Sequence, residues 1–191
     1  LVDQGLEMIE EYLKEAEKRM KGAVNKYKEE LLGIRTGRAS TGLVENIKID
    51  YYGAELPLKQ LATISTPEPA QIVIQTWDKS AVKLIEKALI EANLGANPQT
   101  EGSVIRLHLP PMTEERRKEV VKMIHKFAEE ARIAIRNIRR DEKENIEKLK
   151  KEGFSEDDIK KALEKLQKLT DKYIEEINQL TEAKEKEILS I

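Results

Sequence analysis

Four arginines dominate the chemistry available to the stretch Ala131-Arg132-Ile133-Ala134-Ile135-Arg136-Asn137-Ile138-Arg139-Arg140-Asp141. Read as a helix at about 100° per residue, Arg132, Arg136 and Arg139 align at i, i+4 and i+7, with Arg140 beside them. Ala131, Ala134, Ile135 and Ile138 form a separate apolar stripe that must pack on something. Aligned guanidiniums repel one another, so the row is unfavourable unless a polyanion faces it. An arginine fork holds phosphate bidentately, and its plane stacks on an unpaired base. The face therefore predicts a folded RNA as ligand, with Asn137 a candidate for a polar base or sugar contact. Arg35 and Arg38, on either side of Gly37, together with Arg117, supply a second set of candidate phosphate contacts.

Other chemistries find little support. His108 falls in strand alternation and His125 on a charged helix face, and neither has nucleophile-base spacing nearby. Glu129-Glu130 and Asp157-Asp158 read as solvated helical acids. No glycine-rich loop follows a strand, so no nucleotide site is expected. The chain contains no cysteine, which excludes disulfides and thiolate metal sites and fits a reducing cytoplasm. No apolar run approaches a membrane span, and no signal-peptide core opens the sequence. The sequence thus predicts a non-enzyme with no catalytic residues, cofactor or metal, and no membrane partner. A coiled-coil adaptor that binds protein through long helices is the rival class.

Whole-chain charge would not reveal an RNA binder, because the formal net charge is only −2. The distribution does. Thr113 to Arg140 holds nine Lys and Arg against five Glu, whereas Asp141 onward holds eleven Lys against fifteen acids. Basic residues are concentrated on the middle of the chain, and the acidic last segment points elsewhere. Charged residues make up 37% and aromatics 4%, which suits long, charge-covered helices with aliphatic cores.

The elements that must position these residues follow from periodicity. From about Gln4 to Ile34, the positions Ile9, Leu13, Ala16, Met20, Ala23, Tyr27, Leu31 and Ile34 recur at three and four residues, predicting a helix of about 45 Å. Arg35-Thr36-Gly37-Arg38 breaks it. Residues 45–108 read as a small α+β unit, with strands around Ile47–Tyr51, Leu61–Ile64, Ile72–Ile74 and Val104–Leu109 and a turn at Tyr52-Gly53. Asp78 or Ser80 caps a helix to about Ala92 that turns Ala81, Leu84, Ile85, Ala88 and Leu89 inward. Trp77 is expected in this unit's core. Pro110-Pro111 closes the unit, and Thr113 caps a second long helix with the stripe Val120, Ile124, Phe127, Ala131, Ala134, Ile138 and Leu149. Gly153 stops it near Lys151. Ser155 caps a third, through Ile159, Leu163, Leu166, Tyr173, Ile177, Leu180 and Ile188.

A short link makes the last two helices antiparallel neighbours. The resulting expectation is an α+β protein: an elongated antiparallel three-helix bundle from 1–36 and 112–191, with a small α+β lobe inserted at 37–111. Thr36, Gly37, Pro110 and Pro111 form a two-strand hinge, and the molecule is expected to be bent, with a long rod and a compact second lobe.

Ile34-Arg35-Thr36-Gly37-Arg38-Ala39-Ser40, Tyr51-Tyr52-Gly53, Trp77-Asp78-Lys79-Ser80, Ile85-Glu86-Lys87-Ala88, Leu94-Gly95, Asn97-Pro98, Leu109-Pro110-Pro111, Thr113–Lys118 and Ala134–Arg140 occur in that order. Together they closely resemble the bacterial ribosome recycling factors, from about residue 10 to the end. Thr41-Gly42, where that family commonly has Pro and a small residue, and Ala96, where Leu is usual, depart from the pattern. The resemblance implies the same bundle with an inserted lobe, set in an L shape of tRNA-like dimensions, and a monomeric cytoplasmic factor that binds the large ribosomal subunit across the A and P sites after termination. With elongation factor G and GTP, such a factor splits the post-termination complex into subunits and releases messenger RNA and tRNA, with GTP hydrolysis belonging to the partner. It also implies that Arg139 is the foremost rRNA contact, joined by Arg35, Arg38, Arg117, Arg132, Arg136, Asn137 and Arg140. The competing reading pairs the arginines with Glu129, Glu130 or the acidic last helix. The run of four and the resemblance together favour RNA.

Overall fold

A computed structural model describes residues 2–189, with side chains from residue 4. Leu1, Ser190 and Ile191, the outermost residues of the expected bundle segments, lie outside the described residues. The chain divides into two compact units, Leu1–Lys28 with Val121–Lys186 and Glu29–Val120 with Glu187–Ile191. The division falls within the long helices, and the connectors around Gly37 and Pro110 belong to the second unit.

Three helices build the first unit: α1 (Val2–Leu32), the 38-residue Glu114–Lys151, here α3, and Glu156–Leu189, here α4. Residues at three- and four-residue spacing bury one stripe of each. Ala16, Met20, Val24 and Tyr27 of α1, Ile124, Ala128, Ile135 and Ile146 of α3, and Ile159, Leu166, Tyr173 and Ile177 of α4 are all buried. Val24 takes the fully buried position beside Ala23, which is half-buried. Cross-helix bonds fix the directions. His125 pairs with Glu185 and Arg132 with Asn178, so α3 and α4 are antiparallel. Tyr173 Oη donates to Glu17 at 3.0 Å and Tyr27 meets Thr181, so α1 and α4 run parallel.

The turn between α3 and α4 follows from local chemistry. Gly153 adopts φ +88°, the left-handed conformation that a helix C-terminus commonly needs, and Phe154 N–H bonds back to the Leu149 carbonyl at 3.2 Å. Ser155 Oγ then accepts from Asp158 N–H at 3.4 Å, and Glu156, Asp157 and Asp158 fill the first turn of α4, where the helix dipole favours acids.

The second unit holds a β1–β2 hairpin (Lys48–Tyr51 and Ala54–Pro57) and a four-stranded sheet. The sheet strands are β3 (Ala62–Glu68), β4 (Gln71–Thr76), β5 (Gln99–Glu101) and β6 (Val104–His108). Their order is β3-β4-β6-β5, and every pairing is antiparallel. Helix α2 (Val82–Glu91) contributes Val82, Ile85 and Leu89 to a core with Ile49, Leu58, Ile72, Ile74, Ile105 and Leu107.

Two sequence expectations fail here. Trp77 is 66% exposed, not in the core. Ile72, Ile74 and Thr76 point inward along β4 while Gln75 points out, and period-two alternation carries Trp77 outward as well. Leu84 is exposed too, because the buried stripe of α2 runs 82, 85, 89 and leaves it on the flank. Strands β2 and β5 were invisible to pattern reading: β2 ends on Pro57, and β5 is three exposed polar residues.

Candidate nucleic-acid interface

Burial of Ala131, Ile135 and Ile138 fixes the rotation of α3 and so decides where its arginines point. Arg132 lies closest to the packed side. Its side chain is only 18% exposed, its Nε–H donates to Asn178 Oδ1 of α4 at 3.3 Å, and its outer nitrogen stands 3.5 Å from Glu129. Arg136, 49% exposed, stands 3.4 Å from the other oxygen of the same carboxylate. One glutamate therefore serves two guanidiniums and leaves a net positive charge. Among the described residues, neither Arg139 nor Arg140 has an ion pair or hydrogen bond. Arg139 is half-buried and Arg140 exposed, and Asn137 is exposed beside them.

The expected row is thus half-answered internally. Arg132 and Arg136 have a protein counterion, whereas Arg139 and Arg140 present uncommitted N–H donors. Glu129 and Glu130 are both candidate partners by spacing, and the fold selects Glu129, which bridges both arginines. The signal was present, since 129, 132 and 136 fall on one face at i, i+3 and i+7.

The second arginine set belongs to the other unit. Arg35 donates to the Pro110 carbonyl, which ties the chain leaving α1 to the proline pair that precedes α3. Its Nε is buried without a partner, and burial, with Arg116 adding repulsion, draws its pKa below the ordinary arginine value. Arg116 is itself held by the Asn93 carbonyl at 3.3 Å and by Glu119 at 3.2 Å. Arg117 is half-buried with its Nε unpartnered, and Arg38 is exposed. The structure joins Arg35 to Pro110 but shows no bond joining Arg38 to Arg117. Of the expected hinge residues, Thr36 is half-buried, Pro111 is exposed, and Gly37 has φ +136°, a conformation that side-chain-bearing residues rarely adopt.

Among the described residues, no cluster of His, Asp or Glu could hold a metal ion. His108 is exposed on β6. No described helix is long and apolar enough to cross a membrane.

Comparison with known proteins decides which family this arrangement represents. The family model described as ribosome recycling factor matches residues 27–189. The chain belongs to the ribosome recycling factor family. The ribosome-recycling factor of Aquifex aeolicus (strain VF5) is 62% identical over 183 residues, covering 96% of this chain and 98% of the relative. That of Hydrogenobaculum sp. (strain Y04AAS1) is 59% identical over 184 residues, covering 96% of this chain and all of the relative. Solved structures agree. A solution structure of the ribosome recycling factor superposes with TM-score 0.72 at 62% identity, covering 96% of this chain and 98% of that one. A second match has TM-score 0.61 and 44% identity, covering 95% of this chain and 98% of that one. It comes from models of the T. thermophilus recycling factor and E. coli elongation factor G bound to the E. coli post-termination complex. This ribosome recycling factor family member therefore carries its arginine row on a helix within the matched region.

Proposed function

We propose that this chain binds the large ribosomal subunit across the A and P sites after termination. There, with elongation factor G and GTP, it splits the post-termination complex, freeing messenger RNA and tRNA. The observation that carries the reading is the uncommitted Arg139–Arg140 pair on α3, continued by Arg136 and Arg132, in a chain of the recycling factor family. These arginines and Asn137 contact rRNA phosphate, sugar and base edges. Arg38, Arg117 and the remaining donors of Arg35 add contacts from the second unit. The factor acts as a cytoplasmic monomer and catalyses nothing itself; hydrolysis belongs to the GTPase, and initiation factor three then keeps the subunits apart.

Residues 1–36 and 112–191 act as the rRNA anchor, and 37–111 as the lobe on which the GTPase pushes. Thr36, Gly37, Pro110 and Pro111 are the flexing segment. The positive φ of Gly37 and the Arg35–Pro110 bond support that role: the first gives one connector its backbone freedom, and the second keeps the two connectors together.

Sedimentation with purified large subunits over a salt series tests the anchor. Affinity should fall with a log–log slope of roughly 0.7 to 0.9 per phosphate contacted, and Arg139→Ala should weaken binding and reduce that slope by about one contact. Subunits that ignore the protein at low salt would end the reading. A disulfide engineered across the two connectors should leave binding intact and slow splitting in the presence of elongation factor G and GTP. Unimpaired splitting would remove the hinge.

A further inference from the structure

A groove of about 660 Å³ runs along the seam between α1 and α4, within the first unit. Positions 10, 13, 14 and 17 of α1 line one wall, and 165, 168, 169 and 172 of α4 line the other. Both sets have the three- and four-residue spacing by which a helix shows one side to a neighbour. The apolar lining is Leu13 and Leu169, each half-buried, while Ala16, Met20, Leu166 and Tyr173 of the same helices are buried. Leu6, 43% exposed, stands seven residues before Leu13 and continues that apolar face of α1.

The charges around the leucines are predominantly basic. Lys161, Lys165, Lys168 and Lys172 fall at i, i+4, i+7 and i+11, a single row along α4, and Lys14 lines the opposite wall. Among the described residues, Lys14, Lys165, Lys168 and Lys172 make no ion pair; Lys172 instead sits 5.2 Å from the centre of the Tyr173 ring. The acids of the groove are Glu10 and Glu17, and Glu17 is already engaged. It accepts from Tyr173 Oη at 3.0 Å and pairs with Lys21 at 3.5 Å. Beyond the two ends, Asp157 pairs with Lys161 at 3.1 Å and Glu176 with Lys28 at 3.2 Å. Glu7, Glu11 and Lys18 lie about 120° or more around α1 from Leu13, and Glu164, Asp171 and Glu175 as far around α4 from Leu169. Four lysines without a carboxylate partner therefore border the two leucines, against one unengaged glutamate.

An occupant must be aliphatic at its centre and acidic at its edges. A nucleic-acid backbone would answer the lysines but set phosphate and sugar against the leucines. An amphipathic helix answers both, because its apolar stripe repeats at the same spacing as the groove walls. We propose that the α1–α4 groove docks an acidic amphipathic helix of a partner protein, its aliphatic side chains on Leu13 and Leu169 and its carboxylates on Lys14, Lys165, Lys168 and Lys172. The inference goes beyond the ribosome reading and does not rest on it. Arg132 reaches Asn178 across the α3–α4 seam, whereas the groove lies on the seam of α1 with α4.

Fluorescence anisotropy with labelled peptides of about three heptads, titrated with the full chain, tests the proposal. The first peptide carries leucines at three- and four-residue spacing and glutamates elsewhere. The second has lysine for every glutamate, the third serine for every leucine, and labelled oligouridine is the fourth probe. The glutamate–leucine peptide should bind about tenfold more tightly than each of the others. Lys165→Glu combined with Lys168→Glu, both at exposed positions, should weaken it by about tenfold with an unchanged circular dichroism spectrum. Reversing the exposed Lys122 and Lys126 of α3 should leave its affinity as it was. Equal binding of the glutamate and lysine peptides, indifference to the loss of leucine, or no binding of any peptide would each overturn the proposal. So would unchanged affinity in the α4 variant, an equal loss in the α3 variant, or tighter binding of oligouridine.

Discussion

Arg19 of α1 reaches to 3.6 Å from the carboxylate of Glu142 on α3, and the Glu142 side chain is only 4% exposed. Its Oε2 has no hydrogen-bond partner. The same guanidinium also grips Asp141 at 3.1 Å, so one cation is shared between an exposed acid and a buried one. Burial wins: it raises the pKa of Glu142 above the usual carboxylate value despite Asn145 and Arg19.

A carboxyl whose folded pKa is raised takes up protons on folding, so its ionised form opposes folding. Replacing Glu142 with Gln should stabilise the protein at neutral pH. The advantage over the parent should shrink as pH falls through the raised folded value and vanish below the ordinary glutamate range. Urea midpoints measured for both proteins across acid to neutral pH read this directly. A difference that is flat with pH, or that grows in acid, contradicts the assignment.

Glu129 pairs with both Arg132 and Arg136 and stands as a negative charge beside the proposed phosphate contacts. Glu129→Gln should free both guanidiniums and tighten binding to purified large subunits at low salt by about threefold, the scale of an exposed ion pair. Sedimentation of the variant beside the parent and Arg139→Ala checks this. Weakened binding would mean that the carboxylate aligns the arginines and does not compete for them.

Thr181 donates its hydroxyl to the Ile177 carbonyl at 2.7 Å, so in its bond with Tyr27 the tyrosine is the donor. Both residues are buried. Tyr27→Phe removes that donor and leaves a buried acceptor incompletely satisfied, at a cost of about 1 kcal/mol. Chemical denaturation followed by circular dichroism should show the loss with an unchanged denaturant slope.

Gly153 has φ +88°, and a Cβ there would meet nothing within 4 Å. Any cost of Gly153→Ala is therefore backbone strain and not collision, about 1–2 kcal/mol. Gly153→Asn should cost less, because Asn tolerates the left-handed region. Thermal unfolding of the pair gives the order, and equal melting temperatures would contradict it.

The long helices were legible because burial follows a three-to-four-residue repeat that survives in sequence: Ile9, Ala16, Met20 and Tyr27 are where the periodicity puts them. The cap at Ser155 and the stop at Gly153 were legible from residue type alone, a hydroxyl acceptor and a residue free to take positive φ. Strand β5 was not, since Gln99–Glu101 pairs with β6 through backbone groups alone, and its side chains carry no pattern. Trp77 defies the expectation of its residue type because strand parity, not size, sets the side it takes. On α3, residue type and spacing revealed the arginine row. The sharing of Glu129 and the reach of Arg132 to Asn178 needed the distance between helices, and that is a tertiary quantity.

The single tryptophan of the chain sits on the outside of the second unit. Its ultraviolet emission is therefore already that of a water-exposed indole in the native state, and it should shift little when the cores come apart. Denaturation curves taken at that wavelength would look deceptively flat, even for a protein losing all three long helices.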